Sequence, residues 1–209
     1  MRAIPREVND AFVRDADHAY ALGLWCADGY WWSSSVGISN VEPELVIRFA
    51  RFLVTLLPPD RLRLRVYRVD GSEPDPKVMA LTKSISIRPA FKMKRTAYHL
   101  YVNSRPLVRR FNSWRELLEE IPVQYLGSYF AGRFDGDGSF GTTPRIAYTT
   151  RGEAETDERL LTKAGVHRTS VLYYVKANEH CIYIHKASWE RFRELIGPYS
   201  FKADRRFTL

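Results

Sequence analysis

The chain has 209 residues, 45% hydrophobic and 27% charged, with 12 Tyr, 11 Phe and 5 Trp, enough apolar mass for one large domain or two of about 100 residues. No apolar run approaches the roughly 18 residues of a membrane span, the N-terminus lacks a signal-peptide core, and Cys26 and Cys181 are too few for a disulfide framework or a zinc cluster, so the expectation is an intracellular protein with no membrane partner. A net charge of +8 and a pI near 9.6 favour a polyanionic partner.

The first predicted element is a helix over 18–28 that ends in "LGLWCADGYWW". A strand pair follows at about 30–40, with Trp31, Ser33 and Ser35 on one face, and then a helix over 42–57. The stretch "RLRLRVYR" alternates strictly: Arg61, Arg63 and Arg65 point one way, Leu62, Leu64 and Val66 the other. Such a strand over 61–69 buries one face and offers guanidinium groups on the other. The next strand, 78–88, places Thr82, Ser84, Ser86 and Arg88 together, and hydroxyls interleaved with Arg suit bases and phosphates. Residues 61–95 hold ten Lys/Arg against three acids, so this is not a salt-bridged solvent face. A strand over 97–103 and a helix over 106–120 close the first half.

The second half opens with a helix over 124–137 carrying "FAGRFDGDGSF". Strands near 139–150, a helix over 153–164, strands at 168–176 and 180–185, and a helix over 187–196 follow. A shift of 109 residues lays Ala19, Gly23 and Ala27 on Ser128, Gly132 and Gly136, and Asp28-Gly29 on Asp137-Gly138. Small residues every fourth position form a smooth stripe that lets a partner helix approach closely. The stripe occurs twice, so each helix is the natural partner of the other, and that packing brings Asp28 and Asp137 side by side. Internal duplication divides the chain into halves 1–121 and 122–209. Two carboxylates on helix C-termini make an oxygen-rich anionic platform, suited to a hard cation that keeps phosphate oxygens among its ligands. Beside a basic sheet, this reads as metal-assisted phosphodiester hydrolysis. A calcium loop starting at Asp135 fails, because Ile146 stands where a bidentate Glu belongs.

"LGLWCADG" and "FAGRFDGDG" resemble the LAGLIDADG motif of homing endonucleases, and two copies resemble the single-chain, pseudo-symmetric members. The resemblance implies an α+β fold of two tandem αββαββα repeats with saddle-shaped antiparallel sheets and a central two-helix interface. It implies a monomer that needs no protein partner, binds double-stranded DNA, and cuts both strands of a long asymmetric target to leave short 3′ overhangs. Mg²⁺ is the implied cofactor, with Mn²⁺ as a substitute and Ca²⁺ supporting binding without cleavage. Asp28 and Asp137 match the metal-binding position, with Ala27 and Gly136 beside them as further ligands. Cys26 replaces the first acid of the motif, which Asp135 retains. Lys202 matches a lysine that polarises the attacking water, and the first half has only Lys92 or Lys94 to substitute. Asn40 matches a residue that positions water, and Thr150 is its counterpart. The implied DNA-binding set is Trp31, Ser33, Ser35, Arg61, Arg63, Arg65, Tyr67, Arg68, Thr82, Ser84, Ser86, Arg88, Lys92 and Lys94 in the first half. In the second it is Arg145, Thr149, Arg151, Arg168, Ser170 and Lys176. An intron RNA maturase of this fold, or a DNA-binding protein that has lost catalysis, are the alternative functions.

Overall fold

The computed structural model describes residues 13–30, 34–91 and 93–206, so Trp31, Trp32, Ser33 and Lys92 lie outside the described residues. The chain forms two compact units.

The first unit, Asp28–Trp114, holds β1 (Ser35–Asn40), α2 (Pro43–Leu56), β2 (Arg63–Arg68), α3 (Pro76–Met79), β3 (Ile85–Pro89) and β4 (Ala97–Asn103), and most of α4 (Arg105–Glu116). Pro43 starts α2 in the first turn, where its missing N–H costs nothing. The buried side of α2, with Leu45, Phe49 and Leu53, packs on β1 and β4. Val36, Ile38, Leu64, Val66, Leu100 and Val102 form the matching sheet face, each at most 1% exposed. Burying a side chain of this size contributes about 1.5–3 kcal/mol, so this layer is the main stabilising element of the unit. Phe49 and Phe52 of α2 both meet Phe111 of α4 edge to face, with ring centroids 6.0–6.5 Å apart.

The sheet order is β1-β4-β2-β3. Its ladders are antiparallel except one: β3 runs parallel to β2, pairing Leu64 with Ile85 and Val66 with Ile87. The expected strand over 78–88 therefore begins later, at Ile85. Asp75 accepts hydrogen bonds from the backbone N–H groups of Lys77 and Val78, and Pro76 occupies the first turn, so residues 76–79 become a helix instead. That helix buries Val78 and carries the chain back to the starting end of β2, which parallel pairing requires.

The second unit comprises Val13–Ala27 and the chain from Arg115 on. It contains nearly all of α1 (Ala16–Asp28), with α5 (Val123–Asp137), β5 (Gly138–Ser139), β6 (Arg145–Tyr148), α6 (Arg151–Lys163), β7 (Thr169–Tyr174), β8 (Glu179–Ile184), α7 (Trp189–Ile196) and α8 (Phe201–Arg206). The first motif helix thus clusters with the second motif helix rather than with the strands that follow it. The sheet order is β5-β6-β8-β7, antiparallel throughout. Thr150 caps α6 by accepting from the Glu153 N–H. The basic stretch near 202–206, which carries no helix in the sequence reading, forms α8. Among the described residues no helix is long and apolar enough to cross a membrane.

Candidate functional site

The two motif helices meet at their glycines. A methyl group on Gly23 would stand 2.0 Å from the Tyr129 carbonyl oxygen, and one on Gly132 would stand 2.1 Å from the Tyr20 carbonyl oxygen. Only glycine permits backbones to approach so closely. Ser128, the repeat mate of Ala19, uses its hydroxyl to donate to the Ala16 carbonyl. Five residues beyond its glycine each helix ends, α1 at Asp28 and α5 at Asp137, both half-buried. The aspartates thus sit where the helix leaves carbonyls without intrahelical partners.

Asn40, at the end of β1, donates from Nδ2 to Asp28 Oδ2 at 2.7 Å, while its Oδ1 accepts from the Glu42 N–H at 2.7 Å. The amide therefore ties the Asp28 carboxylate to the start of α2. Lys202 lies in α8 and donates from Nζ to the carbonyls of Phe134 (3.3 Å), Gly136 (3.1 Å) and Gly138 (3.0 Å). Its cation faces the negative end of the α5 dipole, and two of these carbonyls, Gly136 and Gly138, flank Asp137 in sequence. Thr150 is engaged in the α6 cap, and Lys94 is exposed between β3 and β4.

The other motif acid, Asp135, is fully buried and structural. It accepts from Tyr20 Oη (2.6 Å), Ser200 Oγ (2.6 Å), Phe201 N (2.8 Å) and Lys202 N (2.9 Å), so it caps α8 from a different helix. At the matching place in α1, Cys26 lines a cavity of about 150 Å³ with Arg115, Tyr129, Arg133, Glu153 and Asp157 among its walls. There Asp157, from α6, accepts from Tyr129 Oη (2.9 Å), Tyr148 Oη (3.0 Å) and Arg133 Nε (3.1 Å). Burial pushes the Asp157 carboxyl up, and the Arg133 guanidinium and the tyrosine hydroxyls pull against it. Burial also pushes the Cys26 thiol up to about 12, so it is no thiolate at neutral pH. The sequence reading did not include this network. Arg133 and Asp157 stand 24 residues apart, in no periodic relation.

On the first sheet the face turned from α2 carries the expected arginines. Arg63 and Arg88 are exposed there, with Arg65 and Tyr67 half-buried among them, whereas Arg68, also exposed, has the parity of Leu64 and Val66 and leaves the end of β2 on the α2 side. Register places Arg65 beside Ser86 and His99, and Tyr67 beside Arg88. Arg65 donates to Tyr67 Oη at 3.4 Å and lies 5.9 Å from the Tyr101 ring centroid. Ser35 lies at the other edge of the sheet, across from Asn103. Arg61 departs from the expected strand: it closes a 3-10 turn and donates to the Asn103 carbonyl at 3.0 Å. Thr82 and Ser84 precede β3. Thr82 donates to the Leu62 carbonyl at 2.7 Å, and Ser84 accepts from Arg63 at 3.0 Å. His99 and Tyr101 of β4 share this face and lie outside the expected set, although "AYHLYVN" alternates as clearly as β2. The Tyr30 hydroxyl meets His99 Nε2 there, and burial, with Arg65 nearby, pushes the His99 pKa down.

The second sheet is less basic. Arg145 pairs with Tyr183, and Ser170 with Tyr183 from the other side; Arg145 donates to Tyr183 Oη at 3.4 Å, and Ser170 Oγ meets His185 Nε2 at 2.7 Å. Thr149, Arg168 and Lys176 are exposed in the flanking turns. Arg151 starts α6 and pairs with Glu155 at 2.7 Å.

Among the described residues no three His, Cys, Asp or Glu side chains cluster as a metal cage. The donors at the helix ends are carboxylate and carbonyl oxygens, the set a hard cation takes when substrate supplies the remaining ligands. The Gly136 carbonyl, which accepts from Lys202, keeps a second lone pair. These residues fit Mg²⁺ better than a softer metal.

No family model matches the chain, and no curated protein matches it in sequence. Solved structures match its fold. The homing endonuclease I-DmoI in complex with DNA and Ca matches at TM-score 0.62 and 16% identity, covering 93% of this chain and 98% of that one. In complex with DNA and Mn the values are 0.61 and 17%, with 87% and 96% covered. The N-terminal LAGLIDADG domain of WhiA matches at 0.55 and 14%, with 94% and 96% covered. The chain has the LAGLIDADG fold, with both repeats in a single polypeptide.

Proposed function

We propose that this protein is a site-specific endonuclease that acts inside the cell as a monomer and hydrolyses both strands of a long, asymmetric double-stranded DNA target, leaving short 3′ overhangs. The observation that carries the reading is the repeated helix: two glycine-crossed helices, each closing on an aspartate, in a fold shared with a homing endonuclease solved with its target DNA in the presence of Mg. The basic, hydroxyl-rich face of the first sheet supports a duplex as the ligand, since arginines there satisfy phosphates and base edges alike.

Asp28 and Asp137, with the carbonyls of Ala27 and Gly136, would hold a divalent ion. That ion would supply Lewis-acid stabilisation of the phosphate, with Mn²⁺ able to replace Mg²⁺ and Ca²⁺ supporting binding alone. Asn40 fixes the rotamer of Asp28, keeping one carboxylate oxygen directed. Lys202 keeps its ammonium at the α5 terminus, where it offsets the charge that develops as water attacks. Trp31, Ser33, Ser35, Arg61, Arg63, Arg65, Tyr67, Arg68, Thr82, Ser84, Ser86, Arg88, Lys92 and Lys94 would engage one half of the target, and Arg145, Thr149, Arg151, Arg168, Ser170 and Lys176 the other.

The test is a cleavage selection: expose a random duplex library to the protein with Mg²⁺, then capture and sequence the new ends. A shared long sequence with short 3′ overhangs, absent with Asp28→Asn or Asp137→Asn, is the expected result. Tight duplex binding without new ends would reject the nuclease.

A further inference from the structure

The open faces of the two sheets differ in chemistry. In the second, register aligns three rows across β6, β8 and β7: Arg145–Tyr183–Ser170, then Ala147–Cys181–Leu172, then Glu179–Tyr174. Ile146, Tyr148, Ile182 and Ile184 are buried on the opposite face, and Thr169 donates to Glu158 of α6 there, so these rows face outward. The middle row is wholly apolar. Arg145 spans it, its guanidinium carbon 5.3 Å from the Tyr174 ring centroid, and Cys181 beneath is fully covered. Leu172 is left outside that roof, 54% exposed.

Such a leucine has one complementary feature in a DNA major groove. Thymine presents a C5 methyl group there, and apolar side chains distinguish it by contact, whereas arginine pairs with guanine. The surroundings suit a polyanion more than an apolar protein: Arg145 and Ser170 flank Leu172 on the face, and Arg168 and Lys176 stand exposed at either end of β7, against the single carboxylate of Glu179.

We infer that Leu172 is a specificity residue that reads thymine methyl groups in the half of the target under the second sheet, while the arginine face of the first sheet reads its half by hydrogen bonding. This rests on the DNA-binding reading above. Removing a buried methyl should weaken binding about fourfold.

The experiment selects duplexes bound by the full-length protein in Ca²⁺, then replaces each thymidine of the recovered site with deoxyuridine, which lacks only the methyl. The expected result is about fourfold weaker binding at one or two positions confined to one half-site, and loss of that sensitivity in Leu172→Ala. Because Leu172 is exposed, this variant keeps its fold, which circular dichroism checks. Leu172→Arg should move the preference at the same positions away from thymine. Binding that ignores deoxyuridine, or an identical deoxyuridine effect in Leu172→Ala, overturns the inference and leaves DNA binding standing. Failure to recover any duplex overturns both, and would leave this face to a protein partner.

Discussion

Residues 26 and 135 hold the same place in the two motif helices and are served in opposite ways. Asp135 is a carboxylate with four donors around it, one of them Tyr20 of α1 and three from the start of α8. At the matching site stands Cys26, and the repeat mate of Tyr20, Tyr129, turns its hydroxyl to Asp157 of α6. The duplication keeps what the backbone requires, a glycine at each crossing and an aspartate at each end. It lets the buried acid change its place in the chain, provided that donors surround it wherever it sits.

That comparison can be broken most forcefully at Asp157. Asp157→Asn leaves Arg133 charged and buried, and should cost about 4 kcal/mol in urea unfolding; an unchanged midpoint would show that the pair adds nothing net. Asp135→Asn should cost about 3 kcal/mol, because an amide cannot accept from four donors, and amide exchange should show α8 opening before the sheet. Gly23→Ala and Gly132→Ala should each cost about 2–3 kcal/mol, with similar losses, since each methyl meets a backbone oxygen at nearly the same distance. Unequal losses would mean that the repeat symmetry ends at the glycines. The smallest effect comes from moving the acid. Cys26→Asp alone should destabilise by placing a second carboxylate beside Asp157, while adding it to Asp157→Asn should recover about 1–2 kcal/mol, read as the coupling in a double-mutant cycle.

The sequence makes some of this legible and hides the rest for physical reasons. The small-residue stripes and the terminal aspartates are local patterns that stand where their spacing places them, and the alternation of β2 holds from Arg63 to Tyr67, with Arg61 left in the turn before it. The parallel β2–β3 ladder is hidden because alternation specifies a face, not a neighbour, and the Asp75-Pro76 helix start decides the direction of return. α8 has no convincing pattern of its own; its start is held by Asp135, 66 residues before Phe201. The Asp157 network is invisible because a buried ion pair between two helices leaves no spacing signature. His99 and Tyr101 stand in a clear alternation but carry no arginine beside them in sequence to mark the face as basic.

The grouping of α1 with residues beyond 115 also orders events in time. β7 and β8 are joined by a four-residue turn and can pair within microseconds. α1 is made before α5, and the Tyr129 carbonyl that Gly23 meets lies 106 residues further along the chain. During synthesis it must wait, apolar on every side, until α5 has emerged. Hydrogen-exchange labelling during refolding should show α1 protected after the β7–β8 hairpin, and the interval between them is when the chain is most exposed to aggregation or to capture by a chaperone.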